Sequence, residues 1–514
     1  MYGENFPYYN SVELGRFSPL AGQEYNLVAL ISNTPTAYLA FNALILFAFI
    51  IIFLRVLSEF SGQYALHYFV VLLLLLMPAV TNTFFKFLYV EKNIIFYLAI
   101  FLLSFIAFQK KQKTAYFYMV LITANIAIYY KETVFIALSI FSAAHLLFTL
   151  RTSDRWSRLL NFMVILSALV YFIIYMLSVY PNIKHSYLPG PLRNSLLGFI
   201  KNIFNYGFFS DPVLILLLIP LAALRAFQIF IRKHEPHPIL DPMLAAGVGY
   251  VGIFIALNMY SPYYFLPAYL FALPPMVYFF EKGMTRGFFW KGALATTAFI
   301  LAVNTIPLGM HYLTYNKYLP VNFNKATDFL IKDINKRYDG HRLNIFFDGV
   351  DRGTGMGVYF VVGEFLKFKG LPIYKFDFKS DIEARDPGPF VGRRSPFDKD
   401  ADINAVDPEH AYKYPDFPFA VFQPGPLHRI QKGDYLIVSP HSTKNFDDEY
   451  IEKLKNDYTL EFRTHSPFAF PRINLKTGIK YLLSKRLTEE QKASGVIKNE
   501  NLLNWPDYYI FVKK

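Results

Sequence analysis

The 514-residue chain contains no cysteine, which excludes disulfides, thiolate metal sites and cysteine nucleophiles. Charge is scarce: Asp, Glu, Lys and Arg make up 17% of the residues, against 54% hydrophobic and 18% aromatic. That balance argues against a large soluble enzyme and for a polytopic membrane protein. The basic start and early apolar core of a secretory signal peptide are missing, as are internal repeats, heptad arrays and low-complexity tracts. The formal net charge of +13 is not a nucleic-acid footprint. Much of it lies in short loops between apolar segments, where membrane orientation and anionic lipid account for it. The expected partner is the bilayer, with no nucleic acid.

Ten apolar runs are present, at roughly 34–54, 66–80, 93–108, 115–130, 133–150, 159–180, 212–231, 242–260, 264–280 and 290–313. Several are about 20 residues long, enough at about 1.5 Å per residue to cross a ~30 Å hydrocarbon core. Basic clusters fill every second gap: Arg55; Lys110, Lys111 and Lys113; Arg151, Arg155 and Arg158; Arg232 and Lys233; Lys282, Arg286 and Lys291. The positive-inside rule places those gaps in the cytoplasm. Residues 1–33, the 81–92 turn, Lys131 and Glu132, the 181–211 loop, the 260–263 turn and everything after 314 then lie outside.

The expected organisation is an extracytoplasmic first loop with a juxtamembrane helix at 1–33, a transmembrane domain at 34–313 and an extracytoplasmic α/β domain at 314–514. In the last part, 344–350, 371–378, 434–439 and 508–514 read as strands, and 357–370 and 447–458 as helices. Strands alternating with helices give the α/β expectation. The tract 379–430, rich in Pro, Asp and Arg, reads as a long surface excursion. The glycines of DRGTGMG (351–357) fit neither a dinucleotide fingerprint nor a Walker loop, and Asp348 and Asp351 read as turn and cap residues. At the start, either an uncleaved first span exports the tail, or a further helix precedes it.

Three features at the outer side carry chemistry. The stretch 10–31 holds Glu13, Arg16 and Glu24, with Glu4, Tyr8, Tyr9 and Phe17 nearby. Lys131 and Glu132 interrupt nearly 35 apolar residues, and ionisable groups at membrane level are costly and usually face a partner or cavity. A simple hairpin turn with snorkelling charges is the plainer alternative. The third is a basic shell of Lys86, Lys92, Lys184, His185, Arg193 and Lys201, with Tyr263 and Tyr264 in a late loop. Outer cations run against the usual charge bias, and a lipid phosphate would explain them. Contact with ordinary anionic headgroups would explain them too.

At GRFSPLAGQEYNL (15–27), YYKETVF (129–135) and SPYYFLPAYL (261–270) the chain resembles the membrane-embedded GT-C glycosyltransferases. The branch it is similar to contains the protein O-mannosyltransferases and the aminoarabinose transferases of lipid A. The resemblance implies a GT-C-like fold of about ten transmembrane helices with a C-terminal domain. It also implies an inverting transferase that passes a sugar from a polyprenyl-phosphate carrier to an extracytoplasmic glycan, lipid or protein acceptor. A bacterial inner membrane is the expected location.

In that family an acidic residue of the first loop, commonly Asp, lies near the reaction centre. No Asp precedes residue 154 here, so the role falls to Glu13, with Glu4 second and Glu132 as orienter of Lys131 or second carboxylate. Arg16, Lys131, Lys184, His185 and Arg193 would neutralise the leaving phosphate. Tyr263 and Tyr264 would bind the phosphate or stack on the sugar. The family normally has a helix before this loop. No Asp-x-Asp pair lies near the outer face, so neither a metal nor another cofactor is expected. A transporter of lipid-linked saccharides, an O-antigen-type polymerase or ligase, and a membrane scaffold are the competing readings.

Overall fold

The computed structural model describes residues 15–32, 34–85, 89–183, 200, 202–203, 217–256, 261–284, 287–348, 355–381, 427–440, 448–474, 477–479, 482 and 505–514. The chain divides into two compact units, Met1–Gly309 with Asn474–Lys476, and Met310–Ile473 with Thr477–Lys514.

The first unit is helical. After the short α1 (Gln23–Ala29) come α2 (Pro35–Ser58), α3 (Tyr64–Leu76), α4 (Pro78–Phe85), α5 (Glu91–Lys111), α6 (Thr114–Tyr130), α7 (Val134–Thr149) and α8 (Arg155–Ile174). Then follow α9 (Ile219–Ala226), α10 (Leu240–Ala256), α11 (Leu266–Met284) and the 50-residue α12 (Phe288–Arg337), which runs on into the second unit. Five described helical segments are long and apolar enough to cross a membrane, and six if the bent pair α3–α4 is one span. Their number and hydropathy give the chain its integral-membrane character.

Two expectations change here. The run at 66–80 is broken rather than straight, bending by 61° between α3 and α4. Met77, held extended at ψ 137° ahead of Pro78, is the reason, because proline disfavours a helical residue before it. The runs at 115–130 and 133–150 form α6 and α7, of 17 and 16 residues. At about 25 Å they fall short of the ~30 Å core.

Gaps carrying basic clusters gather at one end of the unit. There Lys110 pairs with Glu59 at 2.5 Å, Ser157 donates to Gln109 at 3.1 Å, and His237 lies 6.0 Å from Phe60 and 5.4 Å from Tyr278. The other end collects Phe17, Glu24, Glu91, Lys131, Tyr250 and the 3-10 turn Pro262–Phe265. Between them is a continuous core in which Phe53, Phe101, Phe105 and Phe141 are fully buried.

In the second unit a five-stranded sheet runs β2–β1–β5–β7–β6: β1 Leu343–Phe347, β2 Phe376–Phe378, β5 Tyr435–Val438, β6 Tyr458–Arg463 and β7 Tyr509–Lys513. Strands β2, β1 and β5 are parallel, while β7 pairs antiparallel with both β5 and β6. A separate parallel pair joins β3 (Ser380–Asp381) to β4 (Leu427–His428). Both faces of the sheet are covered, so β5 is buried at every position and reads as an unbroken apolar run. On one face Ile345, Phe347 and Ile437 pack with Ala326, Leu330 and Ile334 of α12 and Leu366 of α13 (Gly355–Phe368). On the other, Phe346, Leu436 and Phe511 pack with Ile451 of α14 (Asp448–Asp457).

The expected 371–378 strand starts only at Phe376, because Ile373–Lys375 forms a 3-10 turn after Pro372. Helix α12 also runs past the expected boundary at 314. The composition turns polar there, but the helical hydrogen bonds do not depend on hydropathy.

Candidate active site

The tyrosine-rich end of the first unit is built from four pieces of chain. Residues 15–20 lie over the ends of α6 and α8: Leu20 N donates to Tyr129 O at 3.2 Å, Tyr171 OH to Phe17 O at 2.6 Å and Tyr175 OH to Gly15 O at 3.0 Å. Gly15 has φ 72°, a left-handed conformation that glycine adopts without a Cβ penalty. The tight turn Lys131–Thr133 links α6 to α7, with Val134 N bonded to Lys131 O.

That turn sends its two charges to different partners. Lys131 is buried and forms an ion pair with Glu91 in the first turn of α5. Its ammonium also lies over the rings of Tyr264 at 4.4 Å and Tyr263 at 5.7 Å. Glu132 turns toward the first loop, where Ser18 Oγ donates to its Oε2 at 2.9 Å. Glu132 is therefore not the group that orients Lys131; Glu91 is. An ammonium 4.4 Å from an aromatic centroid adds a cation–π attraction to the ion pair. Tyr263 and Tyr264 are themselves packed against Tyr89 and Phe254, at 4.2 and 5.0 Å between ring centres.

A second cluster lies under α1. Glu24, 5% exposed, accepts from Asn93 Nδ2 at 2.6 Å and from Tyr130 OH at 3.1 Å. Burial raises its pKa above the ordinary glutamate value, although its own backbone, Lys92, Tyr130 and Asn93 pull the other way. Lys92 is completely buried and donates to Tyr25 OH at 2.5 Å, with its ammonium 4.9 Å from the Tyr25 ring centre. It does not sit among headgroups as expected from sequence, because α1 covers it. The clusters are near neighbours: Tyr130 bonds Glu24, and the next residue is Lys131. Tyr250, which shares a 3.1 Å hydrogen bond with Thr133, lies within electrostatic reach of both Glu91 and Glu132.

Of the residues singled out from sequence, Lys131, Glu132, Tyr263 and Tyr264 come together here. Arg16 lies in the first loop, between Gly15 and Phe17, whose carbonyls accept from Tyr175 and Tyr171. Glu4, Glu13, Lys184, His185 and Arg193 lie outside the described residues. The additions are Glu91, which sequence reasoning missed, and Glu24 and Lys92, whose burial it missed. Only adjacency in space reveals them, since Glu91 and Lys92 read along the chain as a surface pair preceding an apolar run. Among the described residues no group of three or more Asp, Glu or His converges as a metal site.

No family model, curated protein or solved structure matches the chain.

Proposed function

We propose that the protein is a membrane-embedded glycosyltransferase that takes a sugar from a polyprenyl-phosphate donor and passes it to a hydroxyl or amine acceptor on the side opposite its basic loops. One observation supports this reading above the others. The three segments that resemble GT-C transferases, separated by more than a hundred residues each, meet at one place. Ser18 of the first touches Glu132 of the second at 2.9 Å, and Lys131 of the second faces Tyr264 of the third at 4.4 Å.

The proposed chemistry is a single displacement. The acceptor heteroatom attacks the anomeric carbon, the bond from that carbon to the phosphate oxygen breaks, and the acceptor proton passes to a carboxylate. Glu132 takes that role among the described residues, with Ser18 fixing one of its oxygens. Such general-base assistance is worth roughly 10²–10⁴-fold. Lys131 and Arg16 balance the charge of the departing polyprenyl phosphate, and the ring faces of Tyr263 and Tyr264 hold the Lys131 ammonium beside it.

The site's own charges come close to balancing. Its described part holds three cations, Arg16, Lys92 and Lys131, and three carboxylates, Glu24, Glu91 and Glu132. Burial raises the Glu24 pKa, a direction that favours less negative charge beside an anionic donor.

The test is release of polyprenyl phosphate from a panel of polyprenyl-monophosphate sugars by the protein in lipid nanodiscs, with crude acceptor extract present. Wild type is expected to turn over at least one donor. Glu132→Gln is expected to slow it by about 10²–10⁴-fold. Glu13→Gln runs beside it, and silence in that variant with activity in Glu132→Gln moves the base to the first loop. No release from any donor would sink the transferase reading.

A further inference from the structure

We infer that the chain between β6 and β7 carries a membrane-surface segment, Phe468–Leu482, whose exposed apolar side chains enter the headgroup region of the leaflet in which α12 ends its crossing. This inference does not rest on the transferase reading. The segment is placed by one helix and one hydrogen bond. The apolar stretch of α12 starts at Trp290. About 20 residues at about 1.5 Å each cross a ~30 Å hydrocarbon core, so the crossing ends near Met310. The next residue, His311, is 3% exposed, and its Nδ1 donates to Phe470 O at 2.8 Å. Tyr312, Tyr315 and Tyr318 follow it, the residue type that collects where a span meets the headgroups.

The His311 bond therefore holds Phe470 at the level of the membrane surface, and the residues around Phe470 are apolar and uncovered. Phe468 is 48% exposed, with its ring centre 4.7 Å from that of Phe470, and Ile473 is 38% exposed on the other side of it in the chain. Thr477 Oγ1 donates to Arg472 O at 2.8 Å, which keeps the turn that follows close to Arg472. Beyond it Ile479 and Leu482 are exposed as well. Exposed apolar residues scattered singly need no explanation, but a run of them marks a surface that something covers. No Asp or Glu occurs from 464 to 488, so no carboxylate has to be desolvated or brought up to an anionic leaflet. Arg472, exposed between Phe470 and Ile473, suits the same place, because its stem can lie on apolar surface while the guanidinium stays in water. Of the possible occupants, lipid is the one that α12 brings to this level.

The absence of cysteine lets single-cysteine variants test this without background. Phe468→Cys and Ile473→Cys are each labelled with an environment-sensitive fluorophore. The full chain is then placed in nanodiscs of phosphatidylcholine and phosphatidylglycerol that carry a nitroxide either on the headgroup or near the end of an acyl chain. Phe47→Cys, 64% exposed in the middle of α2, is the deep control. Phe368→Cys, 83% exposed at the end of α13, is the aqueous one. All four changes replace exposed side chains, so each variant should fold. The labels at 468 and 473 are expected to lose more fluorescence to the headgroup nitroxide than to the chain nitroxide. The label at 47 should show the reverse order, and the label at 368 should respond to neither. Labels at 468 and 473 that behave like the one at 368 would overturn the proposal, and that is the outcome expected if a protein partner covers the run. Stronger quenching of both by the chain nitroxide would overturn it too, because the segment would then lie in the hydrocarbon rather than at its surface.

Discussion

Two buried ion pairs stand at opposite ends of the helical unit, and they are built differently. Arg225 and Asp241 form a bidentate pair: Nε and Nη2 reach the two carboxylate oxygens at 2.8 and 2.7 Å, and Nη1 reaches Gln228 at 2.7 Å. His237 N adds a further 2.7 Å bond to Asp241, and the guanidinium packs 4.7 Å from the Phe279 ring centre. Lys131 pairs with Glu91, but its other described neighbours are the faces of Tyr263 and Tyr264. The bidentate contact and the Gln228 bond fix the plane of the guanidinium and hold it against its carboxylate. An ammonium with one hydrogen-bonded carboxylate and two aromatic faces retains N–H groups and positive potential for a ligand. The difference separates a structural clamp from a candidate site more clearly than burial does, since both pairs are buried.

The largest expected effects break the pairs one at a time. Removing Lys131 alone would strand Glu91, so the informative variant is Lys131→Met with Glu91→Gln. Release of polyprenyl phosphate should fall by about 10³-fold, the scale of losing a preorganised charge contact. The midpoint of thermal unfolding should change little, because neutral partners of similar size replace a buried pair at small cost. At the other end Arg225→Met leaves Asp241 buried and unpaired. A loss of about 3–5 kcal/mol of stability is expected, read by denaturant titration, with turnover per folded molecule within about twofold of wild type. Loss of turnover without loss of stability at Arg225 would erase the distinction.

Smaller effects test the aromatic faces. Tyr264→Leu should slow turnover by about tenfold and Tyr264→Phe much less, as expected for a ring that acts through its face. Phe279→Leu under Arg225 should leave turnover unchanged.

The sequence makes Lys131 and Glu132 conspicuous because they interrupt a long apolar stretch, and basic clusters mark every second loop. The pairing of Lys131 with Glu91 is hidden, because it depends on α5 and α6 lying side by side, which periodicity does not specify. The sequence hides a second fact, that α1 covers Lys92. In the second unit β1, β5 and β7 are legible as apolar runs. Strand β6 is not: it follows α14 without a break, alternates half-buried with exposed residues and carries Glu461 and Arg463. An edge strand with that pattern reads as the tail of an amphipathic helix. Its irregular pairing with β7 between Leu460 and Phe462 marks it as an edge protected by a bulge.

The smallest effect expected concerns Glu24, and pH fixes its sign. Burial raises its pKa in the folded protein, so its contribution to stability is fully present below the ordinary glutamate pKa. That contribution is lost as pH rises through the raised value, where the buried carboxyl must ionise. Wild type should therefore lose stability over that window relative to Glu24→Gln, and the two curves should converge at lower pH. Donor binding should follow the same direction. Ionised Glu24 adds a negative charge near the phosphodiester, so wild-type affinity should fall as pH rises through the Glu24 pKa. Glu24→Gln should bind the donor with a flatter pH dependence. If wild type and Glu24→Gln show the same pH dependence of donor binding, the cluster under α1 is a second clamp like Arg225 and Asp241. The site then shrinks to Arg16, Lys131, Glu132 and the two tyrosines.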